Sequence, residues 1–166
     1  GDSAKFNTEK VDCILATNFS YFVFKQRKKL IDYFKHAYKQ LKNRGIFILD
    51  AFGGYEAHLL LEERTKHKNF TYVWDQSSFN PITHEIKCHI HFEFPDKTVR
   101  KRAFTYEWRL WMLPEIQECL KEAGFTKVDV YMQGWNEKKN EETERFYKVT
   151  KCDADPAWVA YLAARK

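Results

Sequence analysis

Glycine and proline are scarce in this chain, at six and four residues out of 166. Neither an internal repeat nor a low-complexity segment is present, which excludes solenoids and linker-type sequence. Cysteine is equally thin. Cys13, Cys88, Cys119 and Cys152 are widely scattered and form no CxxC pair, so no disulfide framework or zinc ribbon is encoded, and idle thiols in a reducing compartment are expected. No apolar run approaches the roughly 20 residues of a membrane span, and no signal-peptide pattern opens the sequence. A cytoplasmic protein without a membrane partner is therefore expected, and Asn18-Phe19-Ser20 and Asn69-Phe70-Thr71 carry no glycosylation signal of consequence. Charge of one sign is also lacking. The net charge is +5, and Arg100-Lys101-Arg102 reads as a solvated face, so no nucleic-acid partner is expected.

Apolar and aromatic residues are plentiful, at 44% and 17%. A chain of this length can bury one substantial core, and a single domain over residues 1–166 is expected. The organising stretch runs from Val11 to Gly54. Val11–Ala16 and Ile46–Leu49 are short, nearly continuous apolar runs, which suits strands covered on both faces of a parallel sheet. Between them Leu30, Phe34, Ala37 and Leu41 repeat at helical spacing, with Lys28, Lys35, Lys39 and Lys42 largely off the stripe. Asn43-Arg44-Gly45 would end that helix, with Gly45 as a left-handed cap. The result is a βαβ unit. Open parallel sheets hold ligands beyond the carboxyl ends of their strands, so residues 17–21 and 50–55 are the first places to look for a site.

The period then changes. Tyr55–Lys68 reads as a helix, but Phe70, Tyr72 and Trp74 alternate, as do Ile86, Cys88, Ile90, Phe92 and Phe94. After the Pro95-Asp96-Lys97 turn, Phe104, Tyr106, Trp108 and Leu110 alternate again. Period two with one polar face signals antiparallel strands, and Val99 lies out of phase with Phe104, so a bulge is expected between them. Pro114 opens a helix with Ile116, Cys119, Leu120 and Ala123 as its stripe, and Gly124 ends it. Val128–Met132 and Trp158–Ala163 read as strands, with residues 133–151 between them charged and irregular except for part of a strand at Phe146 and Tyr147.

Three groups of residues bear on chemistry. His89 and His91 share one face of a strand, but no third ligand has a signature spacing. A polar outer face shared with Lys87 and Glu93 is expected there, and no metal. Cys13 and Cys119 lie in apolar settings that suit packing, not nucleophilic work. Asn18, Ser20, Tyr21 and Asp50 gather polar groups at the ends of two adjacent parallel strands. Helix capping accounts for such residues equally well.

The segments VDCILATNFSYF, KQLKNRGIFILDAFGG, YEWRLWMLPEIQECLKEAGF and DPAWVAYLAARK together resemble the latter part of a class I S-adenosylmethionine-dependent methyltransferase. The resemblance runs in order through nearly the whole chain. It implies an α/β fold, a partial Rossmann-like class I methyltransferase sheet, with 70–111 as an antiparallel β insertion after strand five. In the family order 3-2-1-4-5-7-6, Val11–Ala16 would be strand four, Ile46–Leu49 strand five, Val128–Met132 strand six and Trp158–Ala163 an antiparallel strand seven.

The resemblance further implies that Ala16, Thr17 and Asn18 border the methionine part of S-adenosylmethionine, with Ser20 and Tyr21 beside them. Gly1-Asp2 resembles the pair after strand three, whose acidic member, here Asp2, reaches the adenine. Tyr21, Tyr55, Trp74, Tyr106, Arg109 and Trp111 would form the substrate wall. The parent function would be methyl transfer to a small-molecule nucleophile.

The chain departs from the family in having no GxGxG-type loop, no ribose-binding acidic residue after a second strand, and no strands one to three. It therefore reads as an N-terminally truncated portion, with a missing amino-terminal segment or a second copy expected along the 11–16 edge. Alone it is expected to hold the cofactor weakly or not at all and to transfer no methyl group. Two other readings are a non-catalytic interaction module derived from the fold and an RNA-modifying methyltransferase. The first asks for a blunted polar edge on Val11–Ala16, and the second for a continuous basic stripe.

Overall fold

A computed structural model describes residues 9–136 and 141–166. One sheet contains β1 (Val11–Ala16), β2 (Leu41–Gly53), β7 (Lys127–Asn136), β8 (Glu141–Val149) and β9 (Trp158–Arg165), in the order β1-β2-β9-β7-β8. A second contains β3 (Leu61–Lys66), β4 (Thr71–Asn80), β5 (Glu85–Glu93) and β6 (Val99–Arg109), paired in chain order. Helices α1 (Arg27–Gln40) and α2 (Leu113–Ala123) pack against one another.

The βαβ unit forms as its apolar pattern requires. β1 and β2 are parallel neighbours, with Cys13 opposite Ile46 and Ala16 opposite Leu49. β9 runs antiparallel to both β2 and β7, which is the 4-5-7-6 part of the expected order. Leu30, Phe34 and Ala37 of α1 and Ile116, Cys119, Leu120 and Ala123 of α2 enter one core with Phe47, Leu49 and Leu162. As expected, Pro114 stands in the first turn of α2 and Gly124 ends it with φ 114°. β5 and β6 pair antiparallel, and a register shift between Ile90 and Phe92 faces the stretch from Arg100 to Phe104, the anticipated bulge.

Several expectations are corrected. β1 is the edge strand that the truncation reading expects, but it is not covered on both faces as its apolar run suggested. Most of it is exposed, Leu15 to 64%. Tyr55–Lys68 is not a helix but a single 3-10 turn, Tyr55–His58, followed by β3. Three adjacent leucines cannot share one helical stripe, and here Leu59 and Leu60 are exposed while Leu61 pairs with Gln76. The second sheet thus begins before residue 70. The part-strand read at Phe146 and Tyr147 is longer than expected, since β8 covers Glu141–Val149 of the charged stretch and runs antiparallel to β7. The polar face of β5 is only partly solvated, since His89 is 5% exposed with Nδ1 2.9 Å from Thr105 Oγ1. Burial, then the charge of Arg102, holds its pKa below the ordinary value.

The end of α1 is also different. The helix stops at Gln40, and the left-handed residue is Arg44 (φ 65°), not Gly45. Gly45 serves closeness instead, because an added Cβ would lie 2.9 Å from the Lys42 carbonyl oxygen. The cap comes from far along the chain. Lys166 Nζ donates to the carbonyls of Tyr38 and Leu41, both at 2.8 Å, and lies 4.5 Å from the Tyr38 ring centroid. A cation there complements the negative end of the helix dipole. Lys166→Met is expected to destabilise the chain by about 1–2 kcal/mol, read as a lowered thermal midpoint. An unchanged midpoint would show the contact to be idle.

Candidate functional site

The carboxyl ends of β1 and β2 meet at a strained loop. Asn18 (φ 60°) and Phe19 (φ 54°) both adopt the left-handed conformation without being glycine, at an expense on the order of 1–3 kcal/mol each. Asp50 holds them there. Its Oδ2 accepts the Asn18 N–H and its Oδ1 the Phe19 N–H, each at 2.8 Å. The Tyr21 hydroxyl donates to the Asp50 carbonyl at 2.7 Å. Asp50 is 6% exposed. Burial raises its pKa, and the two N–H donors pull back against that. Burial, followed by the Asp50 charge, holds the Tyr21 hydroxyl well above its ordinary value, so it is a neutral donor.

Beside this loop lies a cavity of about 330 Å³, large enough for a small molecule. Phe19 and the Phe52-Gly53 end of β2 form one side, Leu61, Glu63, Tyr72, Trp74 and Gln76 of β3 and β4 another, and Trp158 and Val159 of β9 a third. Glu56 and Ala57 of the 3-10 turn, with Ala157, complete the lining. Phe19 and Phe52 meet edge to face at 4.8 Å, and Phe52 meets Trp74 at 6.4 Å. Gly53 is required by the register that sets it opposite Trp158, because a Cβ would lie 2.3 Å from that ring. Gln76, buried, donates from Nε2 to the carbonyls of Glu56 (3.0 Å) and Leu59 (2.9 Å), tying the turn to β4.

The residues singled out from sequence are divided by the fold. Ala16 is buried at the end of β1, Thr17, Asn18 and Ser20 are exposed around the loop, and Tyr21 is buried beneath it. Asp2 lies outside the described residues. Trp74 lines the cavity. Tyr55 stands 58% exposed next to Glu56, and Tyr106 stacks on Trp108 at 4.4 Å. Neither lines the cavity.

Arg109 and Trp111 lie away from the cavity and hold the β6–α2 junction. Arg109 donates to the Lys25 carbonyl (3.2 Å) and Glu115 (2.8 Å), and its guanidinium sits 3.8 Å from the Trp111 ring centroid. Trp111 is fully buried and donates its indole N–H to the Phe24 carbonyl at 3.0 Å. Trp158, Gln76, Glu56 and Glu63 went unnoticed in the sequence, whereas Phe19 fell within the flagged 17–21 stretch. Phe52 and Gly53 fell within the 50–55 stretch flagged by the strand-end rule, but nothing in the sequence gives the cross-strand register that brings Trp158 to them.

Glu62, Asp75 and His91 bring possible metal-ligand atoms within 4.8 Å of one another. His91 Nδ1 accepts the Arg102 N–H at 2.7 Å, so in the neutral ring Nε2 carries the hydrogen and faces Asp75 Oδ2 at 3.1 Å. That tautomer leaves no ring lone pair for a cation.

No family model and no curated protein matches the sequence. Solved structures do match the fold. An S-adenosylmethionine-dependent methyltransferase from Clostridium acetobutylicum ATCC 824 shares 17% identity at a TM-score of 0.65, covering 99% of this chain and 62% of that one. The CcbJ methyltransferase from Streptomyces caelestis shares 14% at 0.67, covering 99% and 61%. CalS10, an amino pentose methyltransferase from Micromonospora echinaspora, shares 10% at 0.61, covering 100% and 63%. The fold is that of the class I S-adenosylmethionine-dependent methyltransferases, and the chain spans less than two thirds of the length of these structures.

Proposed function

We propose that this chain forms the acceptor-side portion of an S-adenosylmethionine-dependent methyltransferase acting on a small-molecule nucleophile. One observation carries the reading: the strained Asn18–Phe19 loop, held by Asp50, forms the rim of the aromatic cavity. The fold supports it, and the similar structures are methyltransferases, one of them with S-adenosylmethionine bound. The cofactor, when bound, supplies the electrophilic methyl group. Ala16, Thr17 and Asn18 would border its methionine part and Ser20 would lie beside it. Tyr21 acts from below, as a positioning residue, through Asp50. The rings of Phe19, Phe52 and Trp74 exclude water and orient the acceptor, which is the greater part of what in-line methyl transfer demands.

The sequence contains no glycine-rich loop, so the remaining grip on the cofactor has to come from elsewhere. β1 presents an edge with Val11 and Leu15 exposed. A further strand, from an amino-terminal segment or a second copy, would pair there.

The test is titration of the 15N-labelled chain with S-adenosylhomocysteine. Weak binding is expected, with Kd on the order of 1 mM and shifts concentrated on the amides of Thr17, Asn18 and Phe19. Micromolar binding, or shifts centred on β8 instead, would overturn the assignment.

A further inference from the structure

The chain carries a net charge of +5, yet the cavity has two carboxylates, Glu56 and Glu63, and no lysine, arginine or histidine in its lining. Neither carboxylate has an ion-pair or hydrogen-bond partner among the described residues. The Gln76 amide donates to two backbone carbonyls, and the Trp74 indole N–H points to Gln76 Oε1 at 3.4 Å. The rings of Phe52, Tyr72, Trp74 and Trp158 line the same cavity. Trp74 and Glu63 are direct cross-strand partners, which sets them on one face of the sheet. Tyr72 feels that charge too: burial, then Tyr106 and Cys88, then Glu63 raise its pKa.

Aromatic faces attract cations through their quadrupole, and unpaired carboxylates at the rim of an apolar cavity favour positive charge further. An anionic ligand would meet two like charges with nothing to offset them. A neutral alcohol would find the rings but no use for the carboxylates beyond a single hydrogen bond.

We infer that the cavity takes an amine, bound as its ammonium, with Glu56 and Glu63 as the charge-recognising residues and the aromatic rings as the walls. This rests on the methyltransferase reading only in making the amine the methyl acceptor, for which the ammonium would first pass a proton to Glu56 or Glu63, so that the freed nitrogen lone pair could take the methyl group as its bond to sulfur breaks and S-adenosylhomocysteine leaves. The binding preference itself stands on the cavity alone.

The experiment compares 2-phenylethylamine, 2-phenylethanol and 3-phenylpropionate by NMR, following the indole N–H signals of Trp74 and Trp158. The amine is expected to bind roughly tenfold more tightly than the alcohol, and the carboxylate most weakly. Glu56→Gln and Glu63→Gln should each reduce the preference and together remove it, while affinity for the alcohol stays as it was. Because neither carboxylate is paired, the variants should keep the wild-type thermal midpoint. Equal affinity for amine and alcohol, a preference for the carboxylate, or an amine preference that survives both substitutions would overturn the inference. If S-adenosylhomocysteine leaves Thr17, Asn18 and Phe19 unmoved while the amine preference holds, the methyltransferase reading fails and the amine site remains.

Discussion

Trp111→Ala is expected to lose about 3–5 kcal/mol of folding stability, while Trp74→Ala keeps the fold and loses the cavity's ligand. Both tryptophans were read from the sequence as part of a substrate wall, but their surroundings differ. Trp111 has no exposed surface, gives its indole N–H to Phe24, and carries the Arg109 guanidinium on its face. Truncation removes a large apolar volume, leaves the Phe24 carbonyl without its donor, and frees Arg109 from a stacked position. Folded domains have only about 5–15 kcal/mol in total, so a loss of this size takes a large share of the margin. Urea titration followed by far-UV circular dichroism measures both variants. A Trp111→Ala midpoint near wild type would show that this side chain faces a ligand after all.

Gly54→Ala is expected to be nearly as damaging, at about 3–5 kcal/mol. Gly54 has φ 104°, and a Cβ there would stand 2.2 Å from the Pro156 carbonyl oxygen and 2.6 Å from its carbon. These are backbone atoms, pinned further by the Glu56 N–H donating to that same oxygen at 2.9 Å, so no rotamer change relieves the clash. Gly124 is the control. Its φ is 114°, but an added Cβ meets only the Tyr38 ring at 3.4 Å, so Gly124→Ala should lose only about 1 kcal/mol, from the left-handed backbone alone. Thermal unfolding of the pair separates steric from conformational strain. Equal losses would mean that the contact with Pro156 contributes nothing.

Local pattern was enough wherever the determinant lies within one element. The parallel pair of β1 and β2 follows from two apolar runs around a helical stripe, β5 and β6 from strict alternation, and α2 from Pro114 and Gly124. These features are written in spacing, because burial of one face selects period two or period 3.6. Where two periods compete, spacing failed. The leucines at 59–61 suggested a helix, yet the chain is extended there because β4 offers a partner for its backbone. β8 was legible only at Phe146 and Tyr147, the rest of it masked by charges that an edge strand tolerates.

Asp50 was legible as a polar residue at a strand end, but its task was not. Its grip on Asn18 and Phe19 spans 32 and 31 residues of sequence, and no local rule predicts two left-handed residues that are not glycine. The same holds for Lys166 over the end of α1 and for Gln76 under the 3-10 turn. The sequence by itself determined the elements, their order along the chain and the strand ends where a site belongs, because those depend on neighbours within a few residues. Only the tertiary structure decided that Phe52, Trp74 and Trp158 share a cavity with Glu56 and Glu63, while Arg109 and Trp111 are committed to the core. That division depends on cross-strand register and on which face of one sheet meets the other, and both arise from long-range packing that leaves no periodic trace.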